Sequence, residues 1–304
     1  MTCEYKRVGY FASWGIYGRN YLPTNVPAKN FTHLIYALGD SWADIEKPYG
    51  DANDKYNGVG GAFGYFNSRN GSFRRENPSI KTMIAIGGWS WSKDFSIVAS
   101  TKENRKRFID SVVQFVTNYG FDGVDIDWEY PGGGAWSSTT QYNSNLFIDK
   151  DKSCETSSDQ IISYYINNGA DRSKLVFGIT FSGKGFSNVG LTRGGSVSGL
   201  GEAFSGVPSV GELPGVIENG IFSYTGINEL LLSDKSNEFQ YIWDDYSKSP
   251  SLYNSGKKVW ITFENCNSIY AKRNYINEQK LGGYMVWDLS QDSSNELVGK
   301  LSSP

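Results

Sequence analysis

The chain has 304 residues, 29 of them basic and 32 acidic, and its formal charge of −3 excludes a protein built to hold nucleic-acid phosphates or an anionic membrane surface. The apolar fraction is 39% and the mean hydropathy −0.43, with nowhere the roughly 18 unbroken apolar residues of a membrane-spanning helix. A single histidine and three widely spaced cysteines, Cys3, Cys154 and Cys266, exclude a multi-imidazole zinc site and every CxxC metal or redox motif.

Met1 to Arg7 holds no apolar signal core, so a signal peptide has either been removed or never existed. The first strand is expected over residues 7–12, and the second over 32–38. His33 lies inside that second apolar run, where a structural role is expected; any serine-histidine-aspartate chemistry would depend on it. A third strand follows at 81–86, an amphipathic helix at 104–119 and a fourth strand at 123–128. Further on, a helix near 158–168 precedes a strand at 175–181, and a helix near 268–279 precedes a strand at 283–288. Strands alternating with helices imply parallel pairing and an α/β class. Residues 188–257 carry Gly-rich and Ser-rich turns without that alternation, which divides the chain into a catalytic part, 1–187 plus 258–304, and an inserted α+β subdomain, 188–257.

The aromatic fraction is 15%. Exposed flat rings would suit the apolar faces of sugars or of partner surfaces, and a large aromatic core would account for them equally well. Asn30-Phe31-Thr32 and Asn70-Gly71-Ser72 are glycosylation acceptors for a chain that passes through a secretory pathway.

The most informative segment is Phe121-Asp122-Gly123-Val124-Asp125-Ile126-Asp127-Trp128-Glu129-Tyr130-Pro131. On an extended strand residues two apart share a face, so Asp125, Asp127 and Glu129 form one column, and Val124, Ile126 and Trp128 form an apolar face behind it. Three carboxylates this close cannot all be ionised, and a carboxyl that keeps its proton near neutral pH is a general acid in waiting. Glu129 stands last, at the C-terminal end of the strand, where parallel barrels carry their active sites. The alternatives are a surface strand with solvated acids, and a divalent-metal site in a phosphate-processing barrel.

Asp122-Gly123-Val124-Asp125-Ile126-Asp127-Trp128-Glu129 resembles the DGxDxDxE signature of the family-18 chitinases. The resemblance runs along most of the chain. Val8-Gly9-Tyr10-Phe11 with Trp14 resembles the family's first strand, and Thr32 to Ala37 its second. Ile84-Ala85-Ile86-Gly87-Gly88-Trp89 is similar to the third, with Ala85 where the family's SxGG has serine. Lys174 to Ile179 resembles the seventh strand and Leu281 to Trp287 the eighth.

The resemblance implies an (β/α)8 TIM-type barrel with a small α+β insertion, and hydrolysis of β-1,4-linked N-acetylglucosamine polymers with retention of configuration. In that scheme the substrate supplies the nucleophile through its own acetamido group. Glu129 is then the acid, Asp127 holds the acetamido N–H, and Asp125 shares a proton with Asp127. Tyr10 and Trp287 would line the pocket of the distorted sugar, and Trp14, Trp89, Tyr130 and Trp136 would contact neighbouring sugars. Asp122, Gly87 and Gly88 belong to the structural motif. No metal or organic cofactor is implied. The expected partner is chitin or a chitooligosaccharide, with no nucleic acid or membrane, for a monomer working outside the cell.

One departure changes the expected barrel. A (β/α)8 barrel spends roughly 30 residues per unit, yet only 43 residues, Gly132 to Lys174, separate the fourth strand from the seventh. The gap falls near Gly132-Gly133-Gly134 and removes the expected fifth and sixth strands with the family's MxYD motif. Ser182-Gly183-Lys184 stands where YGR is common. The barrel is therefore expected to be abbreviated, and the runner-up function is a protein that binds chitin oligosaccharides without cleaving them.

Overall fold

The computed structural model describes residues 4–39, 66, 72–130, 137–148, 156–190 and 198–302. The chain forms two compact units, Lys6–Ala135, and Met1–Tyr5 with Trp136–Pro304.

The first unit is built on four parallel strands, β1 (Lys6–Ala12), β2 (His33–Gly39), β3 (Lys81–Gly87) and β4 (Gly123–Asp127), in the order β4-β3-β2-β1. Its helices are α1 (Gly15–Gly18), α2 (Ser72–Glu76), α3 (Gly88–Trp91), α4 (Phe95–Ser100) and α5 (Lys102–Tyr119). The strands pair with Tyr10 beside Ile35, Ile35 beside Met83, and Ala85 beside Asp125. β1 and β3 are buried on both faces, as parallel strands covered by helices must be. Thr101 opens α5 by accepting the backbone N–H of Asn104, and Gly120 closes it in the left-handed region at φ 75°. Val112 and Phe115 of α5 are buried, and Phe95 packs against both Phe108 and Trp128, at 6.1 and 5.6 Å between ring centres.

The β4 flank is different. Among the described residues β4 has one strand neighbour, β3. Ile126 on its outer face is 48% exposed, and Ile109 and Val113 on α5 are exposed at 57% and 56%. A complete barrel covers such side chains with the next strand-helix unit, so this is the apolar flank of an abbreviated one.

The second unit holds a parallel pair, β5 (Val176–Thr180) beside β12 (Gly283–Trp287), with Phe177 opposite Tyr284 and Ile179 opposite Val286. It also holds an antiparallel sheet in the order β7-β8-β6-β11-β10-β9. These strands are β6 (Ser182–Phe186), β7 (Val216–Glu218), β8 (Ile221–Ser223), β9 (Gln240–Asp244), β10 (Ser249–Asn254) and β11 (Val259–Thr262). Four helices complete the unit: α6 (Ser158–Asn167), α7 (Tyr224–Leu232), α8 (Cys266–Glu278) and α9 (Glu296–Ser302). Phe222, Ile227, Leu230, Leu252 and Ile261 form the core between α7 and the sheet. Beneath α8 lies a buried ion pair: Lys272 donates to Glu264, which also accepts from Ser144 and, at 2.6 Å, from Ser268. Burial pushes the Lys272 ammonium down, and the charge of Glu264 opposes that shift.

The parallel strands and the helices beside them lie within a few residues of the sequence expectation. Two strands of the antiparallel sheet, β6 and β11, stand just outside the 188–257 segment. No helix among the described residues is long and apolar enough to cross a membrane.

Candidate active site

The carboxylate column sits at the C-terminal end of β4 in the first unit. In the β3–β4 register, Ala85 stands beside Asp125 and Gly87 beside Asp127, so small residues flank both acids. A side chain at Gly87 would place its Cβ 2.2 Å from the Asp127 carbonyl oxygen and 2.6 Å from the Phe95 ring, at φ +112°. Glycine is the residue that lets β3 and β4 close at this point. Gly88 follows at φ 73° and starts α3.

Tyr10, 6% exposed on β1, donates its hydroxyl proton to Asp125 Oδ2 at 2.5 Å. Burial raises the Asp125 pKa, and the Tyr10 hydrogen bond works against that rise. Burial together with the charge of Asp125 holds the Tyr10 phenol far above its usual range. Asp127 is pushed up to about 6, first by burial, then by the charges of Glu129 and Asp125. Tyr130, 54% exposed, is raised by burial of its hydroxyl and by the charge of Glu129, to which it is hydrogen-bonded. Tyr10, Asp125, Asp127, Glu129 and Tyr130 thus form one electrostatically coupled set. Asp127 in this set keeps its proton to about pH 6, well above the ordinary carboxylate range, which suits a site for proton transfer.

Ser92 completes this arrangement, and no sequence signal separates it from Ser90. Its buried hydroxyl has one proton to share between the carbonyls of Gly88 and Asp127, at 2.8 and 3.0 Å, and accepts the backbone N–H of Glu129 at 2.9 Å. One side chain therefore ties the start of α3 to the residues on both sides of Trp128.

Asp122 lies at the other end of the strand. It accepts from the Arg74 guanidinium at 2.7 Å and from the Thr82 backbone N–H at 2.8 Å, and its pKa is lowered chiefly by Arg74 and Thr82 against the opposing effect of burial. That is a fastening between strands, remote from proton transfer. His33 also opens its strand at that end, its Nδ1 2.8 Å from the Thr32 hydroxyl.

Trp14 precedes α1 and is half-buried; Trp89 in α3 is 68% exposed. Trp287 ends β12 in the second unit, half-buried. Trp136, Cys3, Cys154 and Asn70 lie outside the described residues, and Cys266 is a free thiol.

The family model for glycosyl hydrolases family 18 matches residues 6–135 and 133–292. Endochitinase 1 of Metarhizium robertsii is 28% identical to this chain over 381 aligned positions, covering 98% of the chain and 85% of the relative. A chitinase from Bacillus thuringiensis has a structure with a TM-score of 0.79 at 25% identity, over 98% of this chain and 70% of that one. The Group IV chitinase of Ostrinia furnacalis matches with a TM-score of 0.83 at 23% identity, over 98% of each chain, a likeness of fold. The family match breaks at 133–135, and the 381 aligned positions exceed the 304 residues present, so the relative carries residues this chain lacks. With the acidic column, the small-residue register beside it and this match along nearly its whole length, the chain belongs to glycosyl hydrolases family 18.

Proposed function

We propose that this protein hydrolyses β-1,4-linked N-acetylglucosamine polymers by a retaining, substrate-assisted mechanism, with Glu129, Asp127 and Asp125 as its catalytic residues. The observation that carries the reading is the Tyr10–Asp125–Asp127–Glu129 set, with Asp127 pushed up to about 6. Glu129 gives its proton to the glycosidic oxygen as the bond to the anomeric carbon breaks. The acetamido carbonyl of the same sugar supplies the electron pair, forming an oxazolinium ion and releasing the leaving sugar. Asp127 accepts the acetamido N–H and stabilises the positive charge as it develops. Asp125, anchored by Tyr10, shares a proton with Asp127, so that the pair changes charge without both acids ionising together. Water then attacks the anomeric carbon, Glu129 takes its proton, and the ring opens with configuration retained.

Tyr130, Trp14, Trp89, Trp136 and Trp287 are proposed to contact substrate sugars, a role supported by the exposure of Tyr130 and Trp89. The 188–257 segment is proposed as the inserted subdomain. A polymeric substrate that cannot enter a cell supports action outside it, and a monomer is proposed.

A second reading, binding of chitin oligosaccharides without cleavage, is favoured by one observation. The family match is interrupted at 133–135 and no MxYD sequence occurs in the chain. Glu129→Gln separates the two. It keeps the shape and removes the proton, so hydrolysis of the N-acetylglucosamine tetramer should fall by at least about 10²-fold while calorimetric affinity stays near the parent's. Turnover close to the parent's would remove Glu129 as the acid, and a parent that binds the tetramer without cleaving it would establish the second reading.

A further inference from the structure

The second unit carries a groove of about 440 Å³, within the range of roughly 300–1,000 Å³ that ligand pockets occupy, and the mechanism makes no use of it. One wall is a single face of α8, where Asn267, Tyr270, Ala271, Asn274 and Glu278 recur at the spacing that aligns side chains on a helix. The other wall follows β9, with Trp243, Asp245 and Lys248.

The chemistry of these walls is specific. Trp243 is half-buried, and Tyr270 is 54% exposed with the Arg273 guanidinium over its ring at 4.9 Å from the centre, so Trp243 offers part of its ring and Tyr270 the face turned away from Arg273. The small Ala271 leaves room between them. The Trp243 Nε1–H is turned to Asp245 Oδ1 at 3.3 Å, and Asp245 and Lys248 pair with each other at 2.8 Å, which leaves that wall electrically neutral. The side chains of Asn267, Asn274 and Glu278 make no hydrogen bond within the described residues. Rings for stacking, free amides for hydroxyl and acetamido groups, and a carboxylate, Glu278, that can accept from a sugar hydroxyl fit a neutral pyranose chain better than an anion or a nucleic acid.

We propose that this groove is a second sugar-binding site, which holds N-acetylglucosamine units of the polymer apart from the bond being cleaved. The proposal rests on the chitin reading above for the identity of the sugar. Its consequence is selective: the groove adds affinity for a long insoluble chain and none for turnover of a short soluble one.

The test uses the full chain with Trp243→Ala or Tyr270→Ala, measuring depletion from solution by colloidal chitin in the cold and, separately, turnover of the soluble N-acetylglucosamine tetramer. Tyr270 is exposed, so its replacement leaves the fold intact even if Trp243→Ala does not; thermal unfolding checks both. The expected result is a roughly three- to tenfold loss of affinity for colloidal chitin with tetramer turnover unchanged. Affinity for chitin equal to the parent's in both variants would overturn the proposal, and so would a matching loss of tetramer turnover, because the groove would then not be separate. A parent that fails on the tetramer, yet loses chitin binding in these variants, would sink the hydrolytic reading and keep the groove.

Discussion

Asp127 reports the state of the site through its proton. Burial is the larger cause of its rise to about 6, and the neighbouring charge of Glu129 is the next. Glu129→Gln removes that charge, so the Asp127 pKa should move down toward its ordinary 3.8, as read by carboxyl-carbon NMR titration. A value that stays or rises would contradict the coupling. The sign for stability follows from the same shift. Folding favours the protonated form, so this group's contribution is full below about pH 4 and is lost as pH rises through about 6. The thermal midpoint should therefore fall across that window, and Asp127→Asn should flatten the fall. Tyr10→Phe should cost about 1.5–3 kcal/mol in urea denaturation by leaving Asp125 short of its donor, and should raise the Asp125 pKa further. The acids themselves were legible in the sequence because a period of two on a strand states which side chains share a face. Ser92 was not, because its role depends on where a short helix turns back over the strand end.

At the scale of elements, the strand ends decide how well the acids are placed. Gly87→Ala would drive a methyl group against the Asp127 carbonyl in a backbone conformation that alanine resists, and should destabilise the protein by at least about 2 kcal/mol. A loss under 0.5 kcal/mol, roughly the level of a neutral surface change, would show that β3 and β4 have slack there. In the second unit, Lys272→Met would strand Glu264 without its ion-pair partner and should cost about 3–5 kcal/mol in chemical denaturation. The parallel strands could be read from their unbroken apolar runs, bounded by clear helices. The strands of the antiparallel sheet could not. β10, Ser-Pro-Ser-Leu-Tyr-Asn, is buried at all six positions although its composition is that of a turn. Its neighbours β9 and β11 are joined to it by short hairpin turns, and its serines and asparagine are buried because the strand lies between the two, which its own composition does not state.

For the molecule as a whole, the abbreviated barrel is the governing fact. Among the described residues β4 and β5 each end a parallel sheet edge, and each unit exposes apolar side chains: Ile126, Ile109 and Val113 in the first, Ile161, Tyr164 and Tyr165 on α6 in the second. Unpaired edges and uncovered apolar flanks lower stability and invite association. A version with two strand-helix units restored after Gly134 should unfold at a higher temperature and turn over the tetramer faster; equal stability and equal rate would show that the residues after Pro131 already serve in their place. The shortening was legible from spacing alone, since the 43 residues from Gly132 to Lys174 fall well short of the roughly 75 or more that passing from the fourth strand to the seventh takes in a full barrel. The exposed flanks were not, because exposure depends on what fails to pack there. The central claim is that the β4 carboxylates cleave a glycosidic bond with the acetamido group of the substrate as nucleophile. It is tested most directly by proton NMR of the tetramer's freshly released products, before mutarotation. The account predicts the β-anomer first; the α-anomer first, or no product at all, would contradict it.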